Sequence, residues 1–264
     1  YESLAKLPQH FGADVTLLEL RSENGWALDL QALKEAITPK TKMIILNYPH
    51  NPTGSHLTHA ALNEVIELAR LHDLYILNDE VYRLMEYEEA VQLPPLATCY
   101  EKGISISVMT KAFGMAGLRI GWVAAQDEKL IDKILNTKFY TSICNSAPSE
   151  ILAIIALRQA ESILKSAQQL TQINLEYLDA FIEKHASYLS WTRPKAGCIG
   201  LLKFDHTQIT VDQLAHLALE QNKVLIMPSH IMGGDTKHFR IGFGRANFKE
   251  ALDQFEQVLE KINR

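Results

Sequence analysis

The chain carries, at residues 104–119, the stretch ISISVMTKAFGMAGLR, and this stretch decides how the rest of the sequence is interpreted. Its first five residues predict a buried β-strand that runs towards Lys111. Small and flexible residues then lead to Arg119, eight positions after the lysine. Burial generally lowers the pKa of a lysine amine and makes it a usable nucleophile, as Schiff-base chemistry requires. The same pattern also fits a structural lysine, so the choice depends on the other strand ends.

Strand-like and helix-like segments alternate along the first two-thirds of the chain. Strands separated by helical patterns are typical of an α/β fold, so we predict a mostly parallel mixed sheet with flanking helices. The predicted strands are residues 14–20, 43–47, 74–78, 104–108 and 121–125, and the predicted helices are residues 29–37 and 58–72. Asp29 and Thr58 are suited to cap the first turns of these two helices.

A long helical pattern at residues 149–185 separates this part from the rest of the chain. It exceeds a typical globular helix, so we expect a bend or a break within it. Short strand patterns at 199–204, 224–227 and 239–243 alternate with helical patterns at 211–221 and 247–262. We therefore predict a larger domain at residues 1–160 and a smaller C-terminal α+β domain at residues 161–264, joined by the long helix.

The composition is that of a soluble globular protein, with 47% apolar and 22% charged residues. A formal net charge of -5 argues against a nucleic-acid-binding surface as the main function. The longest apolar run, residues 151–157, is seven residues long, well short of the ~18 that a membrane span needs. Three scattered cysteines are typical of reduced thiols, which predicts a cytoplasmic protein.

Histidines are present, but their spacing does not predict a metal site. His230, Asp235 and His238 share a loop without firm ligand spacing, so no metal is expected there. His56 and His59 lie at the start of a predicted helix, and we expect both to face solvent.

Polar side chains follow three of the predicted strands, and ligands of open α/β sheets bind outside the carboxyl ends of the strands. These ends offer the amide of Asn51, the carboxylate of Asp79 with the phenol of Tyr82, and the amine of Lys111. A carboxylate favours a protonated ring nitrogen, and the Arg119 guanidinium suits a phosphate. The cofactor that these groups fit is pyridoxal 5'-phosphate.

The ordered motifs resemble the class I/II aminotransferase family of fold type I pyridoxal-phosphate enzymes. The resemblance covers essentially the whole chain and implies a large cofactor-binding domain that is N-terminally incomplete, because family members are longer at that end. The motifs that carry it are Asn51-Pro52-Thr53-Gly54, Asp79-x-x-Tyr82, Thr110-Lys111, Gly117-Leu118-Arg119-Ile120-Gly121 and Phe239-Arg240-Ile241-Gly242-Phe243.

The resemblance also implies a role for each residue around the cofactor ring. Lys111 would form the Schiff base and then move the proton between the substrate α-carbon and the cofactor. Asp79 would pair with the ring nitrogen, and Tyr82 and Asn51 would bind the ring oxygen. Lys111, Asp79 and Tyr82 are therefore the expected catalytic residues. The Asn51–Pro52 bond is a candidate cis peptide by the same resemblance.

The remaining roles concern the phosphate and the substrate. The resemblance implies that Thr110 and Arg119 hold the phosphate, while Arg240, with Asn51, binds the substrate carboxylate. Arg245 is the alternative to Arg240, and strand alternation favours Arg240. The chain departs from the family pattern at Val108, where relatives often carry a serine that contacts the phosphate.

As a whole, the resemblance implies a cytoplasmic, homodimeric aminotransferase that exchanges an amino group between an α-amino acid and a 2-oxo acid. No nucleic-acid or membrane partner is expected. Two alternatives stay open at this point. One is another pyridoxal-phosphate reaction on the same fold, such as that of a lyase, cyclase or oxidase. The other is a non-catalytic ligand-sensing domain that keeps the fold.

Overall fold

The computed structural model describes residues 1–88 and 91–262 of the chain. Within them, two sheets are flanked by helices. The helices are α1 (Glu2–His10), α2 (Leu30–Ala36), α3 (His59–Leu71), α4 (Leu96–Cys99), α5 (Glu128–Thr141), α6 (Ala147–Arg158), α7 (Ala160–Lys184), α8 (Val211–Asn222) and α9 (Phe248–Ile262). The strands are β1 (Met43–Leu46), β2 (Tyr75–Asp79), β3 (Gly103–Val108), β4 (Gly121–Ala125), β5 (Leu189–Trp191), β6 (Ile199–Phe204), β7 (Met227–Pro228) and β8 (His238–Gly242).

The first sheet has the strand order β1-β2-β3-β4 and confirms the predicted α/β fold class. β1, β2 and β3 are parallel, whereas β4 pairs antiparallel with β3. The carboxyl ends of the three parallel strands therefore meet at one edge of the sheet, with Leu46 beside Asn78 and Asp79 beside Ile106. This edge is where the sequence predicts a ligand site.

Helix caps and apolar spacing explain the elements around this sheet. The Asp29 side chain accepts hydrogen bonds from two backbone N–H groups in the first turn of α2, and Thr58 accepts one in α3. Both predicted caps are confirmed. The apolar face of α3, which includes Val65 and Ile66, packs into a core with Ile76 of β2.

Several sequence-based predictions of secondary structure are wrong. Residues 14–20 form no strand, because no neighbouring segment of the described residues pairs with their backbone; Val15 and Leu18 are only half-buried. The predicted strand 224–227 is reduced to β7, since only Met227 and Pro228 pair with β8. Helices α1 and α5 were not predicted, although Asp127 caps α5.

The long helical region breaks at Gln159, which separates α6 from α7, as its length predicted. Beyond α7 lies the second sheet, with the order β5-β6-β8-β7 and antiparallel pairing throughout. Helices α7, α8 and α9 cover it, and Leu202, Phe239 and Phe255 lie in the shared core. The domain boundary near residue 160 stays a prediction.

Three short segments, residues 50–56, 82–87 and 194–197, are hydrogen-bonded to one another between the two sheets, and we call them the junction segments. The carbonyl of Gly54 accepts hydrogen bonds from the N–H groups of Lys195 (2.8 Å) and Ala196 (3.2 Å). On the other side, Tyr87 N donates to the Lys195 carbonyl and Gly197 N donates to the Met85 carbonyl. The last segment is therefore held between the first two.

Candidate active site

Side-chain amides fix the loop after β1 to the end of β2. The Asn47 amide donates to the backbone carbonyl of Asp79 (3.0 Å). The Asn78 side chain accepts from Tyr48 N (2.9 Å) and donates to the Tyr48 carbonyl (3.2 Å). Asn47 and Asn78 have no role in the sequence-based prediction. Their position directly after or within the strands is the signal that would have identified them.

Asp79 ends β2 as a buried carboxylate with 7% of its surface exposed. Its Oδ1 accepts a hydrogen bond from Val81 N at 3.2 Å. Burial raises the pKa of Asp79 above its ordinary value, while the Val81 N–H and Lys111 act in the opposite direction. A carboxylate in this position is suited to bind a cationic ring nitrogen, because such a partner offsets the cost of burial.

Lys111 and Tyr82 face each other beside Asp79. The Lys111 Nζ atom lies 5.3 Å from the centroid of the Tyr82 ring, within the range of a cation–π contact. Tyr82 is 3% exposed, and burial raises the pKa of its phenol, so the hydroxyl stays protonated and can donate. Gly197 makes room for the ring, since a Cβ atom there would lie 3.2 Å from Tyr82 Cδ1.

Arg240 of β8 reaches the loop after β1. Its Nη1 donates to Asn51 Oδ1 at 3.3 Å, which places the C-terminal sheet beside the ends of the first sheet. Arg240 is half-buried, whereas Arg245 is exposed and contributes its backbone carbonyl to Asn174. The structure therefore brings Arg240, and not Arg245, to the other predicted residues. The Asn51–Pro52 peptide is cis, as is Tyr48–Pro49, which was not predicted.

Thr110 and Arg119 are the two residues predicted to hold the phosphate. Thr110 is half-buried, and Arg119 is exposed at the end of a turn with a positive φ of 53°. The Arg119 Nη1 donates to the Ala116 carbonyl of its own turn at 3.2 Å. Asp79, Tyr82, Lys111, Asn51 and Arg240 are thus gathered around the strand ends, while Arg119 is directed along the surface.

Other classes of site are not found in residues 1–88 and 91–262. No three His, Cys, Asp or Glu side chains in this part are grouped so as to hold a metal ion. No helix there has the length and apolar composition to cross a membrane. His59 is exposed as expected, but the prediction for His56 is wrong, because its side chain is 3% exposed.

Comparisons with known proteins agree with this geometry. Residues 1–260 match the family model for aminotransferase class I and II. The aromatic-amino-acid aminotransferase 2 of Thermococcus litoralis is 29% identical over 254 residues, which cover 90% of this chain and 62% of that protein. The chain therefore spans a little under two-thirds of the length of this relative.

Solved structures give the same result. A PLP-dependent aminotransferase from Streptococcus suis superposes with a TM-score of 0.93 at 31% identity, covering 100% of this chain and 69% of the other. The PLP-dependent cyclase OrfR superposes with a TM-score of 0.88 at 26% identity, covering 99% and 70%. The two neighbours differ in the reaction that their names give.

Proposed function

Because this chain belongs to the class I and II aminotransferases, we propose that it moves an amino group between an α-amino acid and a 2-oxo acid. The cofactor that the family indicates is pyridoxal 5'-phosphate. The observation that carries the proposal is the group formed by the buried Asp79 and Tyr82 and the half-buried Lys111 at the ends of β2 and β3, with Arg240 bonded to Asn51 beside it.

The donors and acceptors present fit this cofactor. The Asp79 carboxylate would bind the ring nitrogen, which needs an anionic acceptor in a buried position. The protonated Tyr82 hydroxyl and the Asn51 amide would donate to the ring oxygen. Thr110 and Arg119 would bind the phosphate, for which a guanidinium is suited by its planar fork. When bound, the cofactor supplies an aldehyde carbon and an electron-accepting ring.

Lys111 would act as the nucleophile and proton carrier. Its Nζ lies over the Tyr82 ring, and this contact keeps the amine beside the strand ends. From there it would bind the aldehyde carbon and, once released, move a proton at the substrate α-carbon. Burial of Asp79 and Tyr82 keeps water away from this part of the site, which strengthens each electrostatic contact.

Arg240 would select substrates that carry an α-carboxylate. Its Nη1 donates to Asn51 Oδ1, and within residues 1–88 and 91–262 the other guanidinium N–H groups have no hydrogen-bond partner, so they can bind a carboxylate. A bidentate Arg–carboxylate pair fixes both the position and the angle of the bound acid. The same Asn51 would contact both cofactor and substrate, which couples the two binding events.

A second candidate is a cyclase reaction on the same cofactor, and the likeness to OrfR is what favours it. The two reactions differ in the fate of the amino group. A transaminase transfers it to a 2-oxo acid and releases a new amino acid, whereas a cyclase need not. Mixing an amino donor with a labelled 2-oxo acid and measuring the labelled amino acid separates them.

The assembly, location and domain boundary also remain proposals. An exposed apolar patch on α6, with Ile151, Ile154 and Ile155, supports a homodimer or another protein contact. The free cysteines Cys99 and Cys144 support a reducing, cytoplasmic location. The separate core of the second sheet supports a domain division near residue 160.

The decisive experiment is a titration of the chain with pyridoxal 5'-phosphate, followed by its visible absorbance. We expect a band that differs from that of the free cofactor and that disappears when amino acids are added. Lys111→Ala should abolish the band, because it removes the only group proposed to bind the aldehyde carbon. Lys129→Ala, a change at an exposed lysine of α5, is the matched control. Persistence of the band in Lys111→Ala would refute the assignment.

A further inference from the structure

A buried histidine and a buried glutamate face each other between two of the junction segments. His56 Nε2 and Glu86 Oε1 are 3.8 Å apart, and both side chains are 3% exposed. Among the described residues, neither ring nitrogen of His56 and neither carboxyl oxygen of Glu86 has a hydrogen-bond partner. Buried polar atoms are almost always hydrogen-bonded, so a group of four without partners calls for a specific explanation.

The position of this pair gives it influence over the candidate active site. His56 follows the loop that carries Asn51, and its ring stacks on Tyr48 with centroids 6.5 Å apart. Glu86 follows Tyr82 by four residues and forms a β-bridge with Ala196. Any force between the two side chains therefore acts between the loop of Asn51 and the segment of Tyr82.

Two charge states are possible for a pair that holds one proton. In the first, a His56 cation faces a Glu86 anion. Burying the two charges costs several kcal/mol for each ion. The attraction between them offsets this cost only when further hydrogen bonds satisfy both ions. In the residues that the structure describes, no such hydrogen bond reaches His56. Near Glu86, the backbone groups of Leu84 and Glu86 and the Gln92 side chain favour the anion, but none of them is within hydrogen-bond geometry. In the second state both groups are neutral, and the protonated carboxyl can donate to the neutral ring.

The surrounding charges also favour a neutral histidine. The charges of Arg83, Lys195 and His59 all oppose a positive charge on the His56 ring. Burial, followed by these neighbours, lowers the pKa of His56 to about 4. Burial raises the pKa of Glu86, while its own backbone, Arg83, the Leu84 backbone and the Gln92 side chain act in the opposite direction with smaller effects. The two main shifts point to the same state, with the proton on the carboxyl.

We propose that His56 and Glu86 share one proton, carried by Glu86, as an uncharged pair that positions Asn51 and Tyr82 across the junction segments. In this state the Glu86 O–H donates to a His56 ring nitrogen after a small approach of the two side chains. Both residues are positioning residues. The part of the inference that concerns the cofactor rests on the proposed function, whereas the protonation state does not.

The proposal has a defined pH dependence. The pKa of Glu86 is raised in the folded state, so its contribution to stability is complete below its unfolded value of 4.5 and is lost as the pH rises through the folded value. The pKa of His56 is lowered, so its contribution is complete above 6.5 and is lost as the pH falls towards 4. The pair should therefore stabilise the fold most at mildly acidic pH and less on either side.

Glu86→Gln and Glu86→Ala test the charge state directly. Glutamine keeps the shape and an N–H donor, so it mimics the protonated acid and cannot ionise. We expect Glu86→Gln to match the urea midpoint of the wild type at pH 5.5 and to exceed it at pH 8. Glu86→Ala should lower the midpoint at both pH values, because it leaves His56 without a donor. Glu88→Gln, at an exposed carboxylate two residues away, should match the wild type throughout.

NMR of the histidine ring nitrogens gives a second, independent measurement. We expect the His56 ring to be neutral at pH 6 and to titrate only near pH 4, in wild type and in Glu86→Gln. A His56 ring that is protonated at pH 6 to 7 would overturn the proposal in favour of an ion pair. So would a Glu86→Gln midpoint as low as that of Glu86→Ala at both pH values.

The positioning role is measured by cofactor binding. Glu86→Ala should weaken pyridoxal 5'-phosphate by about tenfold, as expected when a supporting contact around a bound ligand is removed, and Glu86→Gln should restore the affinity. Equal affinity in all three proteins would exclude the positioning role. If the wild type binds no cofactor, the proposed function fails, while the urea and NMR results still decide the charge state.

Discussion

The candidate site has an enclosed half and an open half, and the two differ in how the chain holds them. Asp79 and Tyr82 are buried at the strand ends, beside Asn47 and Gly197. Arg119 is exposed, and its guanidinium contacts the carbonyl of its own turn. Both halves are proposed to bind one cofactor, so the difference concerns organisation before binding and not chemistry.

The enclosed half is fixed by long-range contacts. Strand pairing aligns Asp79 with Ile106, and the junction segments pack Gly197 against the Tyr82 ring. The open half depends on one turn, next to an apolar surface on α6 that includes Ile155. A preorganised half loses little conformational entropy when the ligand binds, whereas an open half must become ordered at that moment and loses more. We therefore expect changes in the two halves to have different signatures.

The largest expected effect is at Asp79, in the enclosed half. Asp79→Asn should weaken pyridoxal 5'-phosphate by about 2–5 kcal/mol, because it removes the anion proposed to pair with the ring nitrogen. The same change should stabilise the cofactor-free chain at pH 7 by about 0.5–2 kcal/mol, because it removes a buried carboxylate that is retained for function. Absorbance titration and urea unfolding measure the two effects.

The sign of the stability effect follows from burial. The pKa of Asp79 is raised in the folded state, so its favourable contribution exists at low pH and is lost as the pH rises through the folded value. Burial disfavours the carboxylate form, and asparagine removes this cost while keeping the acceptor for Val81 N. A cofactor-free Asp79→Asn chain that is less stable than the wild type at pH 7 would contradict this reasoning.

A smaller effect is expected at Arg119, in the open half. Arg119→Gln should weaken pyridoxal 5'-phosphate by about 1.5–3 kcal/mol, the usual value of a hydrogen bond to a charged group. Because Arg119 is exposed, stability should change by no more than about 0.5 kcal/mol. Its binding loss and its unchanged stability would contrast with the paired effects at Asp79.

Pyridoxal without its phosphate provides the control for that experiment. Wild type should prefer the phosphorylated form, and Arg119→Gln should reduce the preference, whereas Asp79→Asn should leave it unchanged. Equal preference in wild type and Arg119→Gln would remove Arg119 from the proposed phosphate site. The double comparison assigns each residue to its own part of the ligand.

Most of the enclosed half could be predicted from the sequence, because strand order alone brings the relevant residues to one edge. Asp79 and Lys111 follow apolar runs that the periodicity identifies, and parallel pairing then places their ends together. Arg240 lies far away in sequence, and only the resemblance to a family connected it with Asn51. The contact between these two side chains agrees with that expectation.

Other features depend on tertiary contacts that no local pattern encodes. Residues 14–20 have a strand-like sequence, but they find no pairing partner in either sheet of the described residues. His56 lies just before α3 and looks solvent-facing in sequence, yet the junction segments bury it. Arg119 is exposed at a position with a positive φ, and no local sequence pattern predicts this backbone conformation for an arginine.

The smallest expected effects concern glycines, and they compare the two halves through the backbone alone. Gly197, in the enclosed half, has a φ of +83°, and a Cβ there would contact Tyr82. Gly114, in the open half, has a φ of +65° with no atom within 4 Å of such a Cβ, and Gly117 has neither constraint. A left-handed conformation costs a residue with a Cβ about 1–2 kcal/mol.

Urea unfolding of the three alanine variants should therefore give a graded series. Gly117→Ala should be near neutral, Gly114→Ala should lose about 1 kcal/mol from backbone strain, and Gly197→Ala should lose more because the Tyr82 ring must also move. Displacement of the ring should weaken cofactor binding in Gly197→Ala. Equal losses of stability in Gly114→Ala and Gly197→Ala would show that the Tyr82 ring moves aside at no cost. The enclosed half would then be no better organised than the open half.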